Sequence, residues 1–444
     1  MIYNFPVENM FHAREVTDLD FDIKNRDLYV NLDNVRITDV DNDYCENLKF
    51  SLNINPKSGK LETPTNDYVK VLFSGHRGTG KTLELRKFQN KINHPDRYFS
   101  VFIELENELE IAKFKPEDYF ILLILKIARE IDSQNLKIKT KELDSIINDW
   151  LSEKEIVEEV KENTTFSTTA EAGAGINLLE FVKLKLNIKS VFASETKTSE
   201  IIRTKFRKNT LEFVSRFNLA LSEIRQEIKK LNKGNDILFI IDGSEKIPLS
   251  VYKQLFVDDS YILRGINANI ISSVRIDAFY DVTTVQQRDF FLPVLVPMIK
   301  ITGKSKKRLS EVITKRIKND VFFEDKVLNF FVEMSGGCIR QLLKIVNRAI
   351  LYTRGRKIDM KTAKKTAKIL AGEMSQTLTS EHKTILRKAK WKDADEEIAV
   401  ADENIALLIY SLILLKYNGI IEINPLIKDM FKKPVLISDT NTSS

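Results

Sequence analysis

Gly75-His76-Arg77-Gly78-Thr79-Gly80-Lys81-Thr82 is the stretch on which the fold turns. It fits the eight-position pattern G-x-x-x-x-G-K-[ST] without a mismatch, and its flanks agree: residues 69–73 predict an apolar strand entering the loop, and residues 83–88 a helix leaving it. In such a loop the backbone N–H groups from about Gly78 to Thr82 point into one concavity. The helix that follows adds positive partial charge from its N-terminus, so a chain of phosphates meets many aligned donors. Gly75, Gly78 and Gly80 permit backbone angles and a close approach that a Cβ obstructs, and Thr79 belongs to the same cradle. Lys81 is expected at the β- and γ-phosphates of a nucleotide and the Thr82 hydroxyl on magnesium. His76 and Arg77 stand at variable positions and receive no chemistry.

Further apolar runs at 98–105, 237–241, 266–272 and near 294–301 alternate with helical patterns. That alternation predicts an α/β core with a mostly parallel sheet and helices on both faces. The run 237–241 has no polar interruption and reads as a central strand. It sets Asp242 at the carboxyl end, where α/β sheets bind ligands, and Asp242 is the expected metal-shell acid. The turn Asp242-Gly243-Ser244-Glu245-Lys246 puts Glu245 three positions on, where it can polarise water if the turn folds back over the γ-phosphate. At the end of the next strand Ser272 and Ser273 are alternative γ-phosphate sensors, because period two sends only one of them into the site. Arg275 follows, either as a phosphate contact or as an exposed arginine.

These motifs, in this order, resemble P-loop ATPases of the AAA+ and STAND kind, especially the branch shared by replication initiators and signal-transducing ATPases. The resemblance spans roughly residues 70–353 and implies ATP with Mg2+ as ligands and ATP hydrolysis as the activity. The glutamate that follows the strand-end aspartate in many AAA+ proteins is replaced by Gly243, and the 242–246 sequence is closer to the STAND form. Met334-Ser335-Gly336-Gly337-Cys338-Ile339-Arg340-Gln341-Leu342-Leu343 is similar to the start of the sensor 2 helix, which gives Arg340 the role of reaching back to the nucleotide. Physically, the paired glycines allow a tight helix entry, and one long planar cation on a lid can report the γ-phosphate. Arg264 and Arg288 are weak candidates for an intersubunit arginine finger. The resemblance also implies a homo-oligomer or a protein partner or effector, and a setting in defence against mobile DNA. A nucleic-acid-loading ATPase is the alternative.

The chain of 444 residues is long enough for two or three folded units at ~150 residues each. The expected division is an N-terminal extension over 1–66, an ATPase core over 67–301 interrupted by an insertion at 153–200, a helical lid over 302–376, a winged-helix-like unit over 377–434 and a tail over 435–444. Within the insertion Val182, Leu184, Leu186 and Ile188 alternate with Lys183, Lys185, Asn187 and Lys189, the period of an amphipathic strand. The lid shows helical spacing at 307–317, 323–334, 340–353 and 360–374; the end unit shows a helix at 405–415, then Ile420, Ile421 and Ile423 as a strand.

An apolar content of 43% and a charged content of 30% exclude collagen-like, disordered and membrane-embedded classes. Two cysteines, Cys45 and Cys338, can build neither a disulfide scaffold nor a four-cysteine zinc site, which points to a reducing compartment. No signal sequence or bilayer-spanning run is evident, and a cytoplasmic protein without a membrane partner is expected. The net charge of +6 is spread over many ions of both signs and identifies no partner. Two basic stretches remain, one between Lys300 and Asp320 and one carrying Lys361, Lys364, Lys365 and Lys368; DNA contact and a solvated or protein-facing surface are both open for them.

Overall fold

The computed structural model describes residues 3–18, 28–37, 43–62, 68–138, 141–151, 197–277, 291–354, 356–388, 403–417 and 420–431. Five parallel strands form the central sheet: β1 Lys70–Gly75, β2 Tyr98–Glu104, β3 Asp236–Asp242, β4 Asn269–Ser273 and β5 Leu292–Val296. Their order is β2-β3-β4-β1-β5, so β4 lies between the loop-bearing strand and the aspartate strand. The last two strands are shorter than the apolar runs suggest. Residues 265–268 form a turn before β4, and Pro297, which lacks an N–H, follows β5.

Burial on both faces explains why the strands read as unbroken apolar runs. Val71, Phe73, Leu238, Ile240 and Ile271 enter one core, and Leu72, Ile237, Phe239, Ile241 and Ile270 enter the other. The helix Lys81–Ile92 closes the first face with Leu85, Phe88 and Ile92. On the second face lie Pro116–Ser133 and Thr210–Lys230. There Arg203, on the helix Lys197–Lys208, grips Asp118 through two hydrogen bonds of 2.7 and 2.8 Å; both side chains are buried. Residues 152–196, which carry nearly all of the predicted insertion with its alternating segment, lie outside the described residues, as does Arg288.

Beyond β5 the chain is helical. Gly303–Thr314, Val327–Met334, Ile339–Thr353 and Met360–Ser375 each bury one stripe, for example Leu342, Ile345, Val346 and Ala349. The first of these starts earlier than its apolar spacing suggests because Thr302 caps it, accepting from the Ser305 N–H. The end unit departs from expectation at its main helix, which stops at Tyr410 instead of continuing to residue 415. Leu412 adopts φ 63°, and the Asn424 side chain donates to its carbonyl at 2.8 Å, so Leu414 and Leu415 enter a strand instead. β6 Leu414–Lys416 pairs antiparallel with β7 Ile421–Ile423, and the short helix Pro425–Lys428 follows. Gln341 and Asn424 exchange amide hydrogen bonds of 3.1 and 2.9 Å, and Tyr417 donates to the Gly336 carbonyl at 2.8 Å, fastening this unit to the lid.

The described N-terminal residues straddle core and lid and do not merely lead into the core. The helix Tyr44–Ser51 lays Tyr44 and Leu48 on the Val71/Phe73 face of the sheet. Val7 bridges Ile317 in the lid, with the Val7 N–H 2.8 Å from the Arg316 carbonyl and the Lys318 N–H 3.0 Å from that of Val7. Among the described residues no helix is long and apolar enough to cross a membrane.

The join between sheet and lid rests on Gly337, at φ 83°, where an added Cβ would lie 1.8 Å from the Ile299 carbonyl oxygen. Gly337→Ala is therefore expected to destabilise the fold by about 2–4 kcal/mol, read as a lowered urea unfolding midpoint. An unchanged midpoint would show that the lid is not seated there.

Candidate functional site

Strand β1 ends at Gly75, and Gly80 at φ 93° opens the helix Lys81–Ile92, so the loop between them turns its amides inward above the sheet. Lys81 is buried, its Nζ donating to the Gly75 carbonyl at 2.9 Å and the His76 carbonyl at 3.3 Å. Burial pushes its pKa down, with the carboxylates of Glu245 and Asp242 acting against that shift. The Thr79 hydroxyl donates to the His76 carbonyl at 2.9 Å, while the Thr79 carbonyl accepts from the buried Arg36 guanidinium at 2.7 Å. Arg36 also pairs with Glu84 at 3.2 Å, and the Tyr44 hydroxyl donates to that carboxylate at 2.9 Å. The shape of the loop thus depends on a residue some forty positions upstream. No motif marks Arg36 in the sequence.

The lid meets the loop by main-chain contact. The Arg340 N–H points at the Gly78 carbonyl at 3.3 Å, and the thiol of buried Cys338 faces the Arg77 carbonyl at 3.6 Å. Gly78 stands at φ 85°, and a Cβ there would fall 2.4 Å from the Arg340 Cβ. Arg340 therefore sits at the loop, and it lines the same cavity as Lys81 and Thr82.

At the neighbouring strand ends the two serines separate. Ser272 turns away from the site and shares a hydrogen bond of 2.5 Å with the buried Tyr119 hydroxyl. Ser273 turns in: its Oγ accepts from the Gly243 N–H at 2.8 Å and donates to Glu245 Oε2 at 2.5 Å. Gly243, at φ 97°, lets the turn Ser244–Lys246 curl back, so the residue that replaces the expected glutamate is also what returns Glu245 to the site. Asp242 is buried, and its Oδ1 has no hydrogen-bond partner among the described residues. Burial and the nearby Glu245 raise its pKa to about 6, opposed by the Thr82 hydroxyl and the Lys246 and Lys81 charges. An unpartnered buried carboxylate oxygen beside a hydroxyl is the donor set a hard divalent cation takes, so Thr82 and Asp242 fit a magnesium ion.

The loop opens into a cavity of about 500 Å³. Its apolar walls come from the N-terminal segment through Tyr29, Val30 and Leu32, and from the lid through Val312, Ile339 and Leu343. Such a chamber beside a phosphate cradle has room for a nucleoside. Arg275 also lines it, bound to Asp277 at 2.6 Å and lying 4.3 Å over the Tyr410 ring, so it is neither a free phosphate ligand nor an exposed arginine. His76, at a variable position of the loop motif, is buried and accepts the Lys416 N–H at 2.7 Å through Nε2. Burial and the Lys81 charge drop its pKa to about 3, so the ring stays neutral and able to accept.

No protein-family model and no curated protein matches the chain. Among solved structures it is similar to the Aeropyrum pernix Orc1 protein in complex with DNA, at 13% identity and a TM-score of 0.35 over 84% of this chain and 74% of that one. It is also similar to the Thermotoga maritima RuvB Holliday junction branch migration motor, at 10% identity and 0.35 over 88% and 95%, and to Cdc6p from Pyrobaculum aerophilum, at 13% and 0.35 over 94% and 96%. These likenesses are of general build; the strand order and the loop geometry stand on their own.

Because the folded pKa of Asp242 is raised, its contribution to stability is fully present below about pH 4 and is lost as pH rises through about 6. Asp242→Asn is accordingly expected to raise the melting temperature at pH 7.5 by several degrees, corresponding to up to about 3 kcal/mol. The same substitution should abolish the magnesium dependence of nucleotide binding. In the unaltered protein that dependence should weaken as pH falls through about 6; calorimetric titration between pH 5 and 8 checks both, and a pH-independent magnesium effect would remove Asp242 from the site.

Proposed function

We propose that the chain is a P-loop ATPase of the AAA+ type, acting as a nucleotide-dependent switch in which core, lid and C-terminal unit answer to the same bound ATP. The observation that carries this is the closure of a single cavity by the Gly75–Thr82 loop, the Arg340 helix and the N-terminal segment, with His76 and Arg275 extending the contact to the C-terminal unit. The loop amides and Lys81 would bind the phosphates, and Tyr29, Val30 and Leu343 would flank the base. Magnesium, held by Thr82 and Asp242, would supply neutralisation of phosphate charge. Ser273 orients Glu245, and that carboxylate positions the attacking water. The Arg340 side chain senses the γ-phosphate, so its loss on hydrolysis changes the relative populations of lid positions. In the STAND-like form of this proposal the output is self-assembly or control of a protein partner; an ATPase working on nucleic acid is the second form, favoured by the cationic face of the lid described below.

Lys81→Ala should weaken ATP affinity at least tenfold and abolish turnover, as measured by calorimetry and phosphate release; normal turnover would overturn the assignment. Glu245→Gln should leave affinity within a few-fold and slow hydrolysis by about 10²–10³. Ser273→Ala should slow it less, since it frees the carboxylate without removing it. If both variants turn over normally, the water is positioned by another group. Particle mass by light scattering with and without ATP tests assembly: one mass in both states speaks against a nucleotide-driven oligomer.

A further inference from the structure

The two basic stretches differ in a way the sequence does not show. In the first, Lys300 pairs with Glu422, Lys306 with Glu333, Arg308 with Glu311 and Lys318 with Glu8, while Lys315 donates to the Tyr29 carbonyl and Arg316 to that of Val312; Lys304 and Lys307 remain. In the second, Arg354, Arg356 and Lys357 on the turn before the helix Met360–Ser375, and Lys361, Lys364, Lys365 and Lys368 on it, are all exposed, and none makes an ion pair among the described residues. The described acids of this helix and its cap have bonds of their own. Asp359 caps the helix, accepting from the Thr362 N–H at 2.7 Å, and Glu373 turns to Lys344 and Arg348 on the neighbouring helix.

This arrangement works against the helix that carries it. Lys361 faces Lys364 and Lys365, and Lys368 faces the same two, at i,i+3 and i,i+4 spacing where like charges repel. Lys361 also lies in the first turn, where the helix dipole disfavours a cation; the capping Asp359 is the one acid of the described residues at that end of the helix and bonds the Thr362 N–H. Ala363, Thr366, Ala367 and Leu370 occupy the opposite, buried face, so the lysines form one outward line with no apolar side left to enter a membrane. From Lys361 to Lys368 the line rises about 10 Å, over which a nucleic-acid duplex displays about six phosphates.

We propose that this lid ridge, Arg354, Arg356, Lys357, Lys361, Lys364, Lys365 and Lys368, is a contact for the phosphate backbone of duplex nucleic acid. The contact is sequence-tolerant, because no base-reading element accompanies the lysines among the described residues. It lies on the helix that packs along the Arg340 helix, with Glu373 at its far end paired to Lys344 and Arg348, so occupancy of the duplex and position of the lid are open to mutual influence. It does not depend on the nucleotide-site assignment, since it can be measured without nucleotide.

The full chain is titrated against a fluorescein-labelled 30-base-pair mixed-sequence duplex by anisotropy, from 50 to 200 mM KCl. Lys361→Glu/Lys365→Glu is compared with Lys229→Glu/Lys233→Glu, which changes net charge equally at the exposed end of a core helix and in the turn after it. The ridge pair should weaken binding at least tenfold at 100 mM KCl and make the salt slope shallower by about 2, while the control stays within twofold. Should the ridge pair unfold, as judged by circular dichroism, Lys361→Gln/Lys365→Gln gives the same comparison at half the charge change. Absence of duplex binding at 50 mM KCl, or an equal loss in ridge and control variants, would overturn the proposal. So would binding to vesicles containing phosphatidylserine in preference to duplex.

Discussion

One contact governs the arrangement of this molecule: the main chain of Arg340 lies on the main chain of Gly78, with no room between them for a methyl group. Phosphate loop and lid are therefore adjacent backbones, with no layer of adaptable side chains to absorb a shift. Because packed backbones deform little, a change in loop shape is expressed as lid movement. The same turn of chain carries Gly336, whose carbonyl holds Tyr417, and Gln341, whose amide is locked to Asn424. A displacement at the loop is thus passed to the C-terminal unit through hydrogen bonds that permit few alternatives.

A second constraint operates at the strand ends. One hydroxyl, that of Ser273, receives a proton from a backbone amide of the β3 turn and gives one to the carboxylate that the turn returns. The hydroxyl has a single proton, so accepting from Gly243 orients it to donate to Glu245. The glycine after Asp242 thus has a geometric consequence: the left-handed angle that it allows curls the turn and brings Glu245 to the same end of the sheet.

Much of the core was legible because it is local. The loop motif, the uninterrupted apolar runs and the acid at the end of β3 each reside in fewer than ten consecutive residues, and the sheet buries both faces as those runs require. Alternation showed that only one of Ser272 and Ser273 enters the site but not which, since parity alone does not say which side of β4 faces Asp242. The end of the helix at Tyr410 was not legible: Leu414 and Leu415 continue its apolar pattern, and only the tertiary bond from Asn424 stops it. Arg36, His76 and Tyr29 were missed for a related reason. Each acts across a long sequence separation on a partner with no local signature, through bonds to backbone carbonyls or amides, or through a wall of the cavity.

The straddling course of the N-terminal residues bears on how the molecule can be divided. Residues 28–37 and 43–62 supply a wall of the chamber, the guanidinium that props Thr79 and the helix that seals one face of the sheet. An excised fragment beginning just before β1 would keep every residue of the phosphate motif yet expose Val71 and Phe73 to water and leave the chamber open on one side. The smallest piece of this polypeptide that keeps the loop inside a closed chamber is consequently larger than its signature sequence suggests, and it begins well upstream of the glycines.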